Sequence, residues 1–164
     1  MKKTLLGLCA LIILSGCSTI TMNKPGGIVH PDDDWRRQLQ IQLAKNRVSS
    51  AWWNKEGSST LTLYGYRDYF GGADPLRASN GWTKRASTAA ALIDQVLTDR
   101  NVLGHQLSVG IKTKPDATTY TANEELTTQF WMLMGGHDPQ EIQTLPLGKN
   151  EVLIVQITFR DQPS

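Results

Sequence analysis

Few side chains in this 164-residue sequence stand where they could do chemistry. The three histidines, His30, His105 and His137, lie so far apart that a metal site would need long-range convergence. Each reads as a surface or turn residue. Asp68, Asp74 and Glu56 could serve as acid or base groups, but carboxylates beside turns are ordinarily just solvated. The chain has no glycine-rich phosphate loop, no Gly-x-Ser-x-Gly elbow and no His-Glu-x-x-His pair, the arrangements that cradle phosphates, raise a nucleophile or bind zinc. These residue types do not point to an enzyme, and no cofactor or metal is expected. The two thiols, Cys9 and Cys17, are the exception, because of where they fall.

Met1, Lys2 and Lys3 form a cationic start, followed by an apolar stretch from Leu5 to Leu14 broken only by Gly7. A permanent membrane span needs about 20 apolar residues, so this stretch has the form of a signal-peptide core. It runs into Leu14, Ser15, Gly16 and Cys17. That sequence resembles the lipobox of bacterial lipoproteins. The resemblance implies cleavage before Cys17 and acylation of its sulfur and its new amino group, so that membrane lipid is a partner through Cys17. Small residues at 15 and 16 let an extended chain enter a narrow peptidase site, and the thiol is the nucleophile suited to lipid attachment. At about 0.8 kcal/mol per buried methylene, several acyl chains hold a protein on a membrane almost permanently. Ser18 rather than aspartate follows the cysteine, which by resemblance to enterobacterial lipoproteins favours the outer membrane, on its periplasmic face. The other reading is an ordinary secretory signal that happens to end near a cysteine.

Processing changes the arithmetic. The chain carries 17 Lys+Arg against 15 Asp+Glu. Residues 1–16 hold Lys2 and Lys3 and no acid, so the mature chain is expected to be nearly neutral. Without a basic run, nucleic acid is not a partner, since its binding is driven by phosphate neutralisation. Cys9 leaves with the signal peptide and Cys17 is taken by lipid. No disulfide, thiol catalysis or cysteine metal site is then available. The fold must rest on its apolar core.

Residues 17–34 read as the lipidated cysteine and a flexible tether. They contain Pro25, Gly26, Gly27 and Pro31 and no sustained apolar period. Asp32, Asp33 and Asp34 suggest a calcium loop only superficially, since the glycine and distal glutamate of that pattern are missing. Residues 35–164 are expected to form a β-sandwich domain. Leu39, Ile41 and Leu43 alternate with glutamines as a half-buried strand would. Residues 59–66, 107–111 and 151–159 alternate likewise, and residues 118–121 suggest a short strand. Residues 127–134 are apolar on both faces, as in a central strand, with Trp131 in the core. One segment breaks the period: residues 87–99 carry Ala89, Ala90, Ile93, Val96 and Leu97 at helical spacing, with Gly104 beyond as a stop. The reading is mainly β, an antiparallel β-sandwich with a helical insertion between strands.

Five tryptophans are many for this length. Trp52 and Trp53 fall in a connection, residues 45–58, longer than a hairpin needs, and long connections are often functional. Adjacent side chains on a loop do not easily share one core. One indole is then exposed for a partner, tryptophan being favoured at binding hot spots. Alternatively both pack over the open end of the sandwich.

A lipidated cysteine, a tether and a small β-sandwich with a helical excursion after its second strand is similar to TssJ, the outer-membrane lipoprotein family of the type VI secretion system. The resemblance rests on residues 39–46, on residues 60–70 (Thr-Leu-Thr-Leu-Tyr-Gly-Tyr-Arg-Asp-Tyr-Phe), on Lys114, Pro115 and Asp116, and on residues 145–150 leading into the last strand. It departs at Tyr66, where leucine is usual, and lacks a clear arginine–tryptophan pairing after Trp131. It implies a non-enzymatic role: anchoring a trans-envelope secretion complex to the outer membrane by binding the periplasmic domain of the inner-membrane protein TssM. The family's first interstrand loop takes part in that contact and maps onto Arg47, Trp52, Trp53, Asn54, Lys55 and Glu56. Two other classes stay open. One is a lipoprotein of another envelope machine, for conjugation or pilus assembly. The other is a periplasmic immunity or ligand-binding lipoprotein, for which a deep apolar pocket would be diagnostic.

Overall fold

The computed structural model describes residues 34–65, 74–78, 80–100, 105–113, 120–143, 146–148 and 150–160. Its elements follow in the order α1 (Asp34–Lys45), β1 (Ser49–Lys55), β2 (Ser58–Tyr64), β3 (Arg77–Ala78), β4 (Gly81–Trp82), α2 (Lys84–Asp99), β5 (His105–Thr113), β6 (Thr121–Ala122), α3 (Glu124–Met134), a 3-10 turn (Pro139–Glu141) and β7 (Glu151–Arg160). The five-stranded sheet has the order β1-β2-β7-β5-β6 and every pairing in it is antiparallel. β3 and β4 form a separate two-stranded sheet. The expected antiparallel sandwich with a helical insertion is present in mixed form, because the layer facing the large sheet is mostly helical. Helix and strand take nearly equal shares of the described residues.

The longest strand explains the layering. Along β7, Leu153, Val155, Ile157 and Phe159 point into the core with the helices, in the period-2 alternation of a strand. The register sets Leu61 and Leu107 on either side of Ile157, and Leu63 and Val109 on either side of Val155. Onto this surface α2 turns Ala86, Ala89, Ala90, Ile93 and Leu97, all buried. Its start is fixed by Thr83, whose hydroxyl accepts from the Ala86 N–H at 3.2 Å, and it ends at Asp99, ahead of Gly104, which lies outside the described residues.

Two segments expected as strands are helices. In α1, Leu39 and Leu43 are buried while Ile41 is 37% exposed. The apolar repeat that matters is therefore four residues, with Trp35 packed against the core one turn earlier. Residues 127–134 belong to α3, where Leu126, Phe130, Leu133 and Met134 share the buried face. Asn123 caps this helix by accepting from the Leu126 N–H at 2.9 Å, and Glu124 and Glu125 complement the positive end of its dipole. Trp131, expected in the core, falls on the outer side and is 41% exposed. Thr127 ties the helix to β5, its hydroxyl accepting from the Val109 N–H at 2.9 Å and donating to the Asn123 carbonyl at 2.8 Å. A short strand does occur near the place expected, at Thr121–Ala122; residues 118 and 119 are outside the described ones.

A carboxylate completes the sheet where β2 stops. Past Tyr64, the Gly65 N–H still donates to the Leu153 carbonyl at 2.8 Å. The Leu153 N–H instead donates to Asp74 Oδ2 at 2.9 Å, while Asp74 Oδ1 accepts from the N–H groups of Leu76 at 2.7 Å and Arg77 at 3.1 Å. Asp74 is thus a structural staple between the β3 turn and the centre of the sheet. Hydrogen bonds to a charged acceptor contribute roughly 1.5–3 kcal/mol each. Asp74→Ala is expected to lower stability by about 3 kcal/mol, read as a lower urea midpoint at unchanged slope. A midpoint within error of wild type would refute the staple. Next to it Arg77 is only 3% exposed, its guanidinium 5.5 Å from the Trp82 ring centre. Burial pushes that guanidinium below its ordinary pKa, against the opposing pull of the Asp74 charge.

Candidate functional site

The connection read as a loop is itself a strand. Residues 49–55 form β1, at one border of the sheet, joined to β2 by the tight turn Glu56–Gly57 between the paired residues Lys55 and Ser58. Gly57 takes φ +75°, in the left-handed region where a side chain is strained. Because successive residues of a strand face opposite sides, the adjacent tryptophans separate. Trp52 is fully buried and Trp53 is 39% exposed. Of the two readings left open, one indole exposed or both packed, the structure has the first, and a strand rather than a loop produces it.

Trp52 is held on several sides. Its indole N–H donates to the Arg36 carbonyl at 3.3 Å. Its ring centre lies 5.7 Å from Trp35, edge to face, and 5.6 Å from Phe159. The guanidinium of Arg36 approaches both indoles, 5.2 Å from Trp35 and 5.6 Å from Trp52, and Arg100 approaches Trp35 at 5.2 Å. Trp52 is therefore a core residue and is not available to a partner.

The other residues of the candidate set divide between the two ends of β1. Arg47 is exposed at the helix-to-strand corner with φ 60°, the left-handed value usually reserved for glycine. The Val48 N–H donates to the Leu43 carbonyl at 3.0 Å and the Arg47 N–H to the Ala44 carbonyl at 2.9 Å. This is a Schellman cap, with buried Leu43 and Val48 as its apolar contact. At the far end, Asn54, Lys55 and Glu56 join Arg36 around a shallow depression of about 260 Å³ at the hairpin tip. Lys55 and Glu56 are exposed and Asn54 is half-buried. The structure thus gathers Asn54, Lys55 and Glu56, leaves Arg47 at the opposite end of the strand, and removes Trp52 to the core. Arg36 at the tip was not anticipated; only its placement one turn before Gln40 on a helix could have signalled it. Cys17 lies outside the described residues.

On the face turned away from the described helices the sheet presents Trp53, Thr60 and Thr158 in one row, the two threonine hydroxyls 2.9 Å apart. Ser108 is hydrogen-bonded to the Tyr120 hydroxyl on the same side, where the Tyr120 ring lies so close to Gly110 that a β-carbon there would collide with it. Val152 and Ile154 are also buried on this face, outside the main core.

A second, larger depression of about 510 Å³ opens beside the start of α2 and takes in Trp82, Lys84, Ser87, His137 and Asp138. Asp138 is engaged as the cap of the 3-10 turn, accepting from the Gln140 N–H at 2.9 Å. The Trp82 indole N–H is satisfied by Gln129 Oε1 at 2.8 Å, and Gln129 in turn donates to the Gln143 carbonyl at 2.9 Å. His137 is exposed and the His105 ring lies tilted against Trp131, ring centres 5.3 Å apart; Asp68 and His30 are outside the described residues. Among the described residues no group of three or more His, Cys, Asp or Glu side chains could hold a metal ion. No described helix is long and apolar enough to cross a membrane. Comparison with protein-family models, with curated proteins and with solved structures finds no match to this chain.

Proposed function

We propose that this chain is an outer-membrane lipoprotein that anchors a trans-envelope secretion complex, held in the membrane through Cys17 and binding the periplasmic domain of a TssM-like inner-membrane protein. The observation that carries the anchor is the order of residues 5–17: an apolar core, small Ser15 and Gly16, then cysteine. For the binding role, support comes from the β1–β2 tip. There Lys55 and Glu56 stand exposed on a tight, rigid hairpin, beside a depression to which Arg36 and Asn54 contribute. A contact built on a strand end needs little ordering on binding, which keeps its entropic cost low. That support differs from what the family resemblance implied, since the segment is a strand and Trp52 is core. Charged and polar side chains predominate around both depressions, which suits a contact with a protein surface better than an apolar ligand.

The test is a direct binding measurement between the lipoprotein in detergent and the periplasmic domain of the TssM-type protein of the same cell. Saturable binding is expected. Exchanging the tip charges with Lys55→Glu and Glu56→Lys together should weaken it at least tenfold while the melting curve stays that of wild type. No binding by the unaltered protein would end the TssJ-like reading.

A further inference from the structure

A row of cations runs along the side of α1 that faces away from the core. At 3.6 residues per turn, residues two apart lie about 200° around a helix axis. Trp35, Leu39 and Leu43 point inward, so Arg37, Ile41 and Lys45, each two residues further on, point outward. All three are exposed, and Arg47 continues the row past the end of the helix, exposed as well. From Trp35 to Lys55 the sequence contains no acid, and Asp34 opens α1 at its far end. The exposed acids Asp94 and Asp99 belong to α2, and Glu124 and Glu125 to α3. Among the described residues the side chains of Arg37, Lys45 and Arg47 have no hydrogen bond or ion pair. Arg47 is the most telling of the three. Its φ of 60° is one that glycine adopts without strain, so an arginine is kept there at a local cost that no contact within the described fold offsets.

We propose that this face of α1 rests on anionic phospholipid headgroups, the surface to which Cys17 ties the chain; this rests on the reading of Cys17 as a lipid anchor. Two observations select that occupant. The first is where the preceding chain ends. Residues 18–33, read as a tether, lead directly into α1, and a flexible segment of roughly 16 residues spans about 20–24 Å. α1 is thus the first folded element beyond the anchor. The second is charge. A row of unpaired cations complements a phosphate surface, and each Lys or Arg near anionic headgroups favours contact by about fivefold, so that three give roughly a hundredfold. Three such charges are far too few to hold a chain that lacks acyl groups. They suffice to orient a chain already anchored, because the loss of translational freedom has been met by the lipid. Ile41, between Arg37 and Lys45, offers its apolar side chain to the headgroup layer, with the stems of its neighbours around it. The sheet then lies beyond α1, since Trp52 is packed between the two, and the face bearing Trp53 looks away from the membrane toward the periplasm.

The test uses the full lipidated chain in vesicles of phosphatidylcholine, with or without phosphatidylglycerol, doped with a lipid that carries a quencher on its headgroup. Ala44→Cys, beside the row, and Gln140→Cys, on the 3-10 turn, each place a fluorophore at an exposed position. At position 44 quenching is expected to rise about fivefold or more when phosphatidylglycerol is present. It should fall back at about 1 M salt, where the screening length is about 3 Å. At position 140 it should change little. Adding Arg47→Gly to Ala44→Cys should remove most of the rise while the protein melts no lower than before, a split that a merely structural arginine would not give. Adding Arg37→Gln and Lys45→Gln together should have the same effect on quenching. Flotation separates this contact from the anchor beneath it, because an acylated chain floats with both kinds of vesicle. A chain that floats with neither overturns anchor and contact together. A chain that floats, but whose label at 44 ignores phosphatidylglycerol or responds no more than the label at 140, overturns the contact alone. Loss of binding to the TssM-like domain in the Arg37→Gln, Lys45→Gln variant, with quenching unchanged, would assign the face to a protein and refute the lipid.

Discussion

Replacing Trp52 by alanine is expected to cost about 4 kcal/mol of stability, whereas the same change at its neighbour Trp53 costs under about 1 kcal/mol. The two residues are chemically identical and adjacent, so the contrast isolates the face on which each side chain lies. Trp52 is fully buried between α1 and the sheet, in contact with Trp35 and Phe159. Truncation there leaves a large cavity, and the Arg36 carbonyl loses the indole N–H it now accepts from. Deleting a buried aromatic side chain ordinarily costs roughly 3–5 kcal/mol, against a total stability of about 5–15 kcal/mol for a domain. Trp35 is expected to report the damage through its own fluorescence, because it loses its edge-to-face partner. Urea titrations of the two single variants decide the matter. Equal midpoints would mean that the alternation of β1 is wrong and that the segment is a loop after all.

That contrast also shows what could be read from residue order. β2, β5 and β7 and the helix α2 were legible because each presents a single periodicity. In β7, Leu153, Val155, Ile157 and Phe159 repeat every two residues, a spacing no helix face can use. In α2, Ala86, Ala89, Ala90, Ile93 and Leu97 repeat at three and four. α1 was not legible from alternation alone, since leucines at 39 and 43 satisfy a period of two and a period of four alike. The separation comes from Ile41 between them, which the fold leaves exposed, and from Trp35, which extends the four-residue repeat backwards. For α3 the deciding signal lay upstream of the apolar run, in Asn123 followed by Glu124 and Glu125, a cap with acidic first-turn residues.

The candidate site was half legible for a similar reason. A pair of adjacent tryptophans reads as a loop only if both must share one environment; a border strand with one buried face gives each its own. The short turn was signalled by Gly57, two residues after the alternation ends. Nothing in the sequence marks Arg47 as left-handed, because glycine or asparagine is the usual occupant of that position. The cap is set there by tertiary packing of Leu43 and Val48 in the core, which overrides the local preference of arginine. Arg36 reaches the hairpin tip only because α1 crosses beneath β1, a relation that no local spacing encodes.

Changing Cys17 to serine is expected to abolish lipid attachment and with it retention in the outer membrane, the largest single effect on where this protein resides. A hydroxyl in place of the thiol gives no thioether, so radiolabelled palmitate should fail to enter the variant while labelling the unaltered protein. The energetic contrast is steep. At about 0.8 kcal/mol per buried methylene, one long acyl chain binds a bilayer only reversibly, and stable anchoring takes a second. Once its leader is removed, a chain with no acyl group and a nearly neutral surface has neither the apolar nor the electrostatic term to stay bound. Globomycin, which blocks the lipoprotein peptidase, should make the unaltered chain accumulate with its leader attached and leave the serine variant unchanged. A third variant addresses destination: Ser18→Asp keeps the lipid but is expected to hold the protein in the inner membrane, where fractionation would find it beside inner-membrane markers. Palmitate labelling that persists in Cys17→Ser would place the modification elsewhere. Labelling absent from both proteins would reduce residues 1–16 to an ordinary secretory leader, and the anchor assigned to this chain would fall with it.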